Sequence, residues 1–322
     1  MNFQKLLKPL ALLVFFSVSV SAFAAEPESY MIDVNGASLE YLDWGGEGPP
    51  MLFLAGASDT PYIFNDLAPE FTSEFHAYGL TRRGHGRSEK SPSGYTLEEM
   101  VADVERFLDI MNLTEVVLVG HSYGALEVMR FVQLFPDRVS AAVVLDIAYA
   151  FQNSEDEPSG EASGQLVGVF MPFDELGASL DNYRRFLTWN HRSWSEAAEA
   201  NLREQAEILE DGSLVGRMPD FVAQQFGDDR QNWFLTHIPA PTLFVFSNNP
   251  SVDLAEGLSV DPALMNELAE EDAALSAQRR IQINAIKRDS PHARFVELDH
   301  TSHRNFIHRH DRVTEEMWQF LR

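Results

Sequence analysis

From residue 30 to residue 145 the chain alternates between two hydrophobic periods. Residues 30–34 and 39–44 read as short strands separated by Asn35-Gly36, a pair favoured in two-residue hairpin turns because both positions take positive φ. Residues 51–54 form an apolar run that stops near Gly56, and residues 74–80 read as a further strand leading into the glycine-rich turn Arg83-Gly84-His85-Gly86-Arg87-Ser88. Over residues 96–111 the period becomes helical: Leu97, Met100, Val101, Val104, Phe107, Leu108 and Met111 share one side. Thr96 is placed to cap this helix, with Glu99 three residues on completing a capping box. An apolar strand at 116–119, a helix at 125–135 and an apolar strand at 141–145 continue the series. Continuous apolar strands joined through amphipathic helices are what a parallel sheet covered on both faces requires, so the pattern predicts the α/β class.

The alternation breaks after Tyr149. Residues 153–164 are rich in Ser, Glu, Pro and Gly and read as a flexible entry. The chain to about Arg230 then reads mostly as helices carrying large side chains such as Phe170, Tyr183, Phe186, Trp189 and Trp194. Strand patterning resumes at 241–247 and 293–298, and an amphipathic helix at 312–321 closes the pattern. A helical insert between two strands of one sheet is most economically a lid over one edge. The expected organisation is a sheet core from residues 25–150 and 236–322, with a lid at 151–235.

One motif carries chemistry. Gly120-His121-Ser122-Tyr123-Gly124 stands between a predicted strand and a predicted helix, the context that gives a G-x-S-x-G elbow its meaning. Glycines flank the turn because a Cβ there meets neighbouring backbone. Ser122 is thereby placed at a helix N-terminus, where the dipole favours developing negative charge. A hydroxyl needs a base to become a nucleophile. His303, a short loop beyond the strand at 293–298, is placed to reach it; His300 is the competitor, while His308 and His310 read as surface residues.

The base needs a carboxylate on its second nitrogen. The turn after residues 241–247 reads Ser247-Asn248-Asn249-Pro250, without an acid, and Asp253 follows it. Asp146 ends the strand that follows the elbow and is preferred, with Asp253 as the alternative. The oxyanion donors expected are the backbone amides of Tyr123, next to the nucleophile, and of Ala57 in the loop Ala55-Gly56-Ala57-Ser58. Arg82, Arg83 and His85 invite a phosphate-binding reading, but a structural turn with paired charges is the simpler one.

Leu54-Ala55-Gly56, the run Thr81 to Ser88, the Ser122 elbow and the His303 loop together resemble the α/β-hydrolase superfamily, over about residues 30–146 and 241–322. The chain is similar to its lidded bacterial members: esterases, prolyl-iminopeptidase-like enzymes and haloalkane-dehalogenase relatives. The resemblance implies an eight-stranded, mostly parallel sheet, a helical lid after strand six, a small-molecule substrate and no cofactor. Two departures stand out. Ala55 replaces the usual His before Gly, and Asn occupies the usual acid position; some dehalogenase relatives carry their acid where Asp146 stands. Ser122 in place of Asp at the elbow disfavours dehalogenation.

Composition adjusts this picture more than it builds it. The 322 residues include no Cys, which removes disulfides, thiolate nucleophiles and Cys-ligated metals, and no metal site is expected. Residues 1–24 combine Lys5 and Lys8, an apolar run from 10 to 20 and Ala22-Phe23-Ala24, the order of a secretory signal cleaved after Ala24. The apolar run is short of the roughly 20 residues of a span, so no stable membrane anchor is expected and the destination is the periplasm or the medium. The net charge is −25; removing Lys5 and Lys8 with the leader leaves 22 bases against 49 acids, or −27. Such a field repels nucleic acid and weakens the case for anionic substrates. The function expected is an exported serine hydrolase acting on an ester-type carbonyl. An iminopeptidase, a lactonase or a perhydrolase would use the same machinery, and a catalytically silent binding protein on the same fold is the alternative of another class. Oligomeric state is not encoded in these motifs.

Overall fold

A computed structural model of the chain describes residues 26–147, 160–222, 224, 235–248 and 250–322. The expected export signal, most of the flexible entry and Asn249 lie outside the described residues. The antiparallel hairpin forms as its turn demands: β1 (Glu28–Val34) pairs with β2 (Ala37–Gly45), and Asn35 and Gly36 both have positive φ, 48° and 77°. Then come β3 (Pro50–Leu54), β4 (His76–Leu80), α1 (Leu97–Ile110), β5 (Val116–Ser122), α2 (Tyr123–Leu134) and β6 (Val139–Ile147). The capping box of α1 is complete: Thr96 Oγ1 accepts from Glu99 N, and the Glu99 carboxylate accepts from Thr96 N.

After β6 the described chain leaves the sheet. It forms α3 (Glu161–Phe170), a short α4 (Phe173–Leu176), α5 (Leu180–His191) and α6 (Glu196–Gln205). Two differences from the sequence pattern appear here. Helix begins at Glu161, inside the stretch read as a flexible entry, and the insert is not wholly helical. β7 (Ala206–Ile208) and β8 (Leu214–Gly216) make a two-stranded antiparallel ribbon whose turn holds Asp211, Gly212 and Ser213. The chain returns to the sheet as β9 (Thr242–Asn248) and β10 (Arg294–Asp299). The 28-residue helix Pro262–Asp289 joins them. The hydrophobic pattern leaves this helix unassigned because its buried positions are few: Leu264 and Leu268 early, Ile283 and Ile286 late.

The eight strands take the order β1-β2-β4-β3-β5-β6-β9-β10, antiparallel at β1–β2–β4 and parallel from β4 onward. Both faces are covered, and the period-two alternation shows why. Leu52, Leu54, Leu118 and Val144 face α1 and α2, whereas Met51, Phe53, Val119 and Val143 pack with Phe64, Phe306 and Met317. Sheet and helices thus hold the C-terminal ends of β3, β5, β6 and β9 side by side, and the loops that matter chemically leave from those ends.

Candidate active site

The elbow between β5 and α2 is built by steric necessity. Ser122 has φ 55° and ψ −115°, a conformation costly for a residue with a side chain. A Cβ at Gly120 would lie 2.3 Å from the Gly124 carbonyl oxygen, and one at Gly124 would lie 2.2 Å from that of Leu54. The turn can therefore close only with glycine on both sides. Ser122 sits at the strand end, half-buried, at the start of α2.

Asp146 lies on the neighbouring strand, buried, one residue before the Ile147 that stands opposite Ser122. Its φ of 54° falls at an irregularity in the β5–β6 register, which turns the carboxylate out of the strand alternation. Asp146 Oδ2 is 2.7 Å from His303 Nδ1, and Oδ1 accepts from Ser247 N at 3.3 Å. With the proton on Nδ1, the His303 Nε2 is the basic nitrogen.

The His303 loop is fixed from several sides. His121, next to Ser122, donates from Nε2 to the His303 carbonyl at 3.0 Å. Asn305 donates to Val245 O, and Phe306 packs 5.0 Å from both the Phe64 and the His121 ring centres. His308, read from sequence as a surface residue, is half-buried and accepts the Ser302 amide on Nδ1 at 3.0 Å, so it shapes the same loop. Burial, reinforced by the adjoining His303 and Arg304, holds His121 well below the ordinary histidine range and keeps it neutral.

The sequence alternatives are also brought together, but with each other. Asp253 Oδ2 is 2.7 Å from His300 Nδ1 and 2.9 Å from Arg192 Nη1. This second pair lies at an exposed imidazole, and Arg192 follows α5 directly, so it clasps the insert to the loop after β10.

Tyr123 opens α2 and is buried, and Ala57 is exposed in the loop after β3. A Cβ at Gly56 would stand 3.2 Å from Ser122 Cβ, which brings that loop against the elbow serine. The charges of the glycine-rich turn are paired: Arg82 with Glu127 and Arg83 with Asp103. Burial drives His85 down to about 3, so this imidazole is neutral and offers no charge to a phosphate.

A polar cluster beside the site escaped the sequence reading. Asp59 Oδ1 accepts from Arg304 Nη2 at 2.7 Å, Asn201 Nδ2 at 2.9 Å and Gln205 Nε2 at 2.6 Å. Asn201 Oδ1 in turn accepts from Thr60 N and Thr60 Oγ1. α6 is thereby bonded to the loop after β3 and to the residue next to His303. A cavity of about 260 Å³ adjoins this cluster, walled by Ser58, Tyr183, Gln205, Leu176, Leu214 and Met218. Trp189 and Trp194, large side chains of the insert, do not line it. Trp189 stacks on Phe170 and donates to Leu254 O, and Trp194 packs against the core cluster containing Ala198 and Phe306. Among the described residues no group of three or more His, Asp or Glu is placed to hold a metal, and no helix is long and apolar enough to cross a membrane.

Fold and elbow together define a class, a mostly parallel sheet with its serine turn at the strand ends. The fold is that of the α/β hydrolases, and the profile described as alpha/beta hydrolase fold matches residues 49–171. Among relatives, 2-(acetamidomethylene)succinate hydrolase of Mesorhizobium japonicum is 31% identical over 118 residues, 37% of this chain and 42% of the relative. Epoxide hydrolase 2 of Siraitia grosvenorii is 33% identical over 125 residues, 38% of this chain and 39% of that one. The alignments span roughly two-fifths of the length of such curated relatives. The crystal structure of an E-2-(acetamidomethylene)succinate hydrolase superposes with a TM-score of 0.65 at 19% identity, covering 92% of this chain and 99% of that one.

Proposed function

We propose that the protein is a serine hydrolase that cleaves a neutral ester-type carbonyl substrate through an acyl-enzyme. Ser122 Oγ forms the bond to the carbonyl carbon as its proton passes to His303 Nε2, with Asp146 holding the imidazole in that tautomer. The Ala57 and Tyr123 amides receive the oxyanion; the leaving alcohol takes the proton back, and His303 then activates water for deacylation. The observation that carries this reading is the strained Ser122 elbow beside the His303–Asp146 pair.

The charges around the site support a neutral substrate. Arg304 and Arg192 are each committed to a carboxylate, Asp59 and Asp253, so neither is a ready partner for a second anion. Asp59 is likewise occupied by three donors, which disfavours the free amine of an iminopeptidase substrate. The epoxide chemistry named for one relative fits poorly with Ser122: opening an epoxide with a hydroxyl leaves an ether, which has no carbonyl for water to attack. Apolar Leu176, Leu214 and Met218 beside Tyr183 suit a medium-sized acyl or alcohol group, and residues 160–216 act as the lid that holds it.

The test is labelling with a fluorophosphonate, followed by a side-by-side screen of short-chain p-nitrophenyl esters, lactones and prolyl-anilides. An adduct on Ser122 and ester turnover are expected; folded protein without the adduct refutes the reading in favour of a silent binding protein. The protein is also proposed to be exported after cleavage behind Ala24, and a secreted or periplasmic product still beginning at Met1 refutes that.

A further inference from the structure

Arg82 reaches the site without touching a substrate position. Its guanidinium is buried and forks onto Glu127, with Nε 3.0 Å from Oε1 and Nη2 on Oε2. The same group donates from Nη2 to the Ala55 carbonyl at 2.8 Å and from Nη1 to the Gly56 carbonyl at 3.1 Å. Its carbon also lies 5.0 Å from the centre of the Tyr123 ring.

Two geometric facts give these contacts meaning. The Gly56 carbonyl and the Ala57 amide belong to one trans peptide plane, in which C=O and N–H point in opposite directions. A donor fixed on that carbonyl therefore fixes the heading of the Ala57 N–H. Glu127 stands one turn after Tyr123 on α2, the helix whose first amide is the second donor. One rigid fork thus grips the loop that carries one amide and the helix that carries the other. We infer that Arg82, braced by Glu127, is the positioning residue that sets the spacing of the Ala57 and Tyr123 amides in the oxyanion hole. The inference rests on the acyl-enzyme reading of Ser122 and adds to it a residue that sequence assigned only to a structural turn.

The signature of such a role is selective. Amide spacing matters where the carbonyl oxygen becomes tetrahedral and charged, and little when the planar substrate first binds. Glu127 offsets most of the guanidinium charge, so the effect is geometric, and a lysine, as a point charge, cannot hold two carbonyls and a carboxylate at once.

The experiment compares wild type with Arg82→Lys, Glu127→Gln and the double variant Arg82→Met/Glu127→Met. The double variant replaces a buried pair by apolar side chains, a change that commonly preserves folding; far-UV circular dichroism and the urea midpoint verify it. With p-nitrophenyl butyrate, kcat is expected to fall on the order of 10- to 100-fold in the double variant while KM moves less than about threefold. Affinity for a trifluoromethyl ketone, which forms a reversible tetrahedral adduct on serine, falls in step with kcat/KM. Arg82→Lys restores only part of the loss. A folded double variant with wild-type kcat and ketone affinity overturns the inference and leaves the hydrolase reading standing. Wild-type protein that takes neither fluorophosphonate nor ketone overturns both.

Discussion

Asp146 holds His303: a carboxylate oxygen on β6 lies 2.7 Å from the imidazole Nδ1, although the two residues are 157 apart in the chain. Asp253, the other acid within sequence range, holds His300 at the same distance. Each candidate acid thus holds one candidate histidine, and of these two pairs only the first includes the imidazole whose backbone carbonyl is bonded to His121, the neighbour of Ser122.

The two pairs predict opposite kinetic results. Asp146→Asn leaves the geometry near that of the parent but stabilises the wrong tautomer and cannot offset an imidazolium, so kcat on a p-nitrophenyl ester is expected to fall by roughly 10³–10⁴. Asp253→Asn loosens a partly exposed clasp worth about 1 kcal/mol or less, and kcat is expected to stay within a few-fold of the parent. The reverse ranking transfers the acid role to Asp253.

Asn201 predicts a stability effect that no surface contact could give. It is buried, accepts two hydrogen bonds from Thr60 and donates one to Asp59. Asn201→Ala strands those groups out of reach of water and is expected to cost about 2–3 kcal/mol in urea unfolding. Asn201→Asp should be no better, because it sets a second carboxylate against Asp59. A change under about 0.5 kcal/mol in the alanine variant means the cluster does not tie α6 to the loop after β3.

Acid sensitivity follows from the buried imidazoles. Burial lowers His85 to about 3, and His121 and His191 shift in the same direction, also chiefly through burial. The unfolded chain, with ordinary histidines near 6.5, therefore binds more protons below that pH, and stability falls as the solution is acidified. Above about pH 6.5 the contribution is complete. For His85 alone the loss between pH 6.5 and 5 is about 2 kcal/mol. Urea midpoints at pH 7.5 and 5.0 should separate less in His85→Gln than in the parent, and equal separations refute the assignment.

What could be read from sequence was whatever local geometry dictates. Asn35-Gly36 demanded a hairpin turn, Thr96 and Glu99 demanded a helix start, and Gly120 and Gly124 left room for a strained serine between them. The helix Pro262–Asp289 was not legible, since most of its length is polar and its buried positions cluster at the two ends. The Asp59 cluster was hidden for a different reason: its partners lie 142 to 245 residues away, and no local pattern marks a carboxylate as the meeting point of three donors. The size of Trp189 alone does not tell a pocket wall from the core of the insert; its stacking on Phe170 and its indole N–H bond to Leu254 O do. Asp146 was visible only as a strand-end acid; its turn toward His303 depends on a register irregularity with β5 that composition does not announce.

The long separation of Asp146 from His303 also has a consequence in time. A chain made from its N-terminus carries the serine elbow and its neighbouring carboxylate for more than 150 residues before the His303 imidazole reaches them. That imidazole stays in place only once Phe306 has docked between Phe64 and His121 and Asn305 has bonded to Val245. On the proposed acyl-enzyme reading, Ser122 therefore gains its base only with the closing steps of folding.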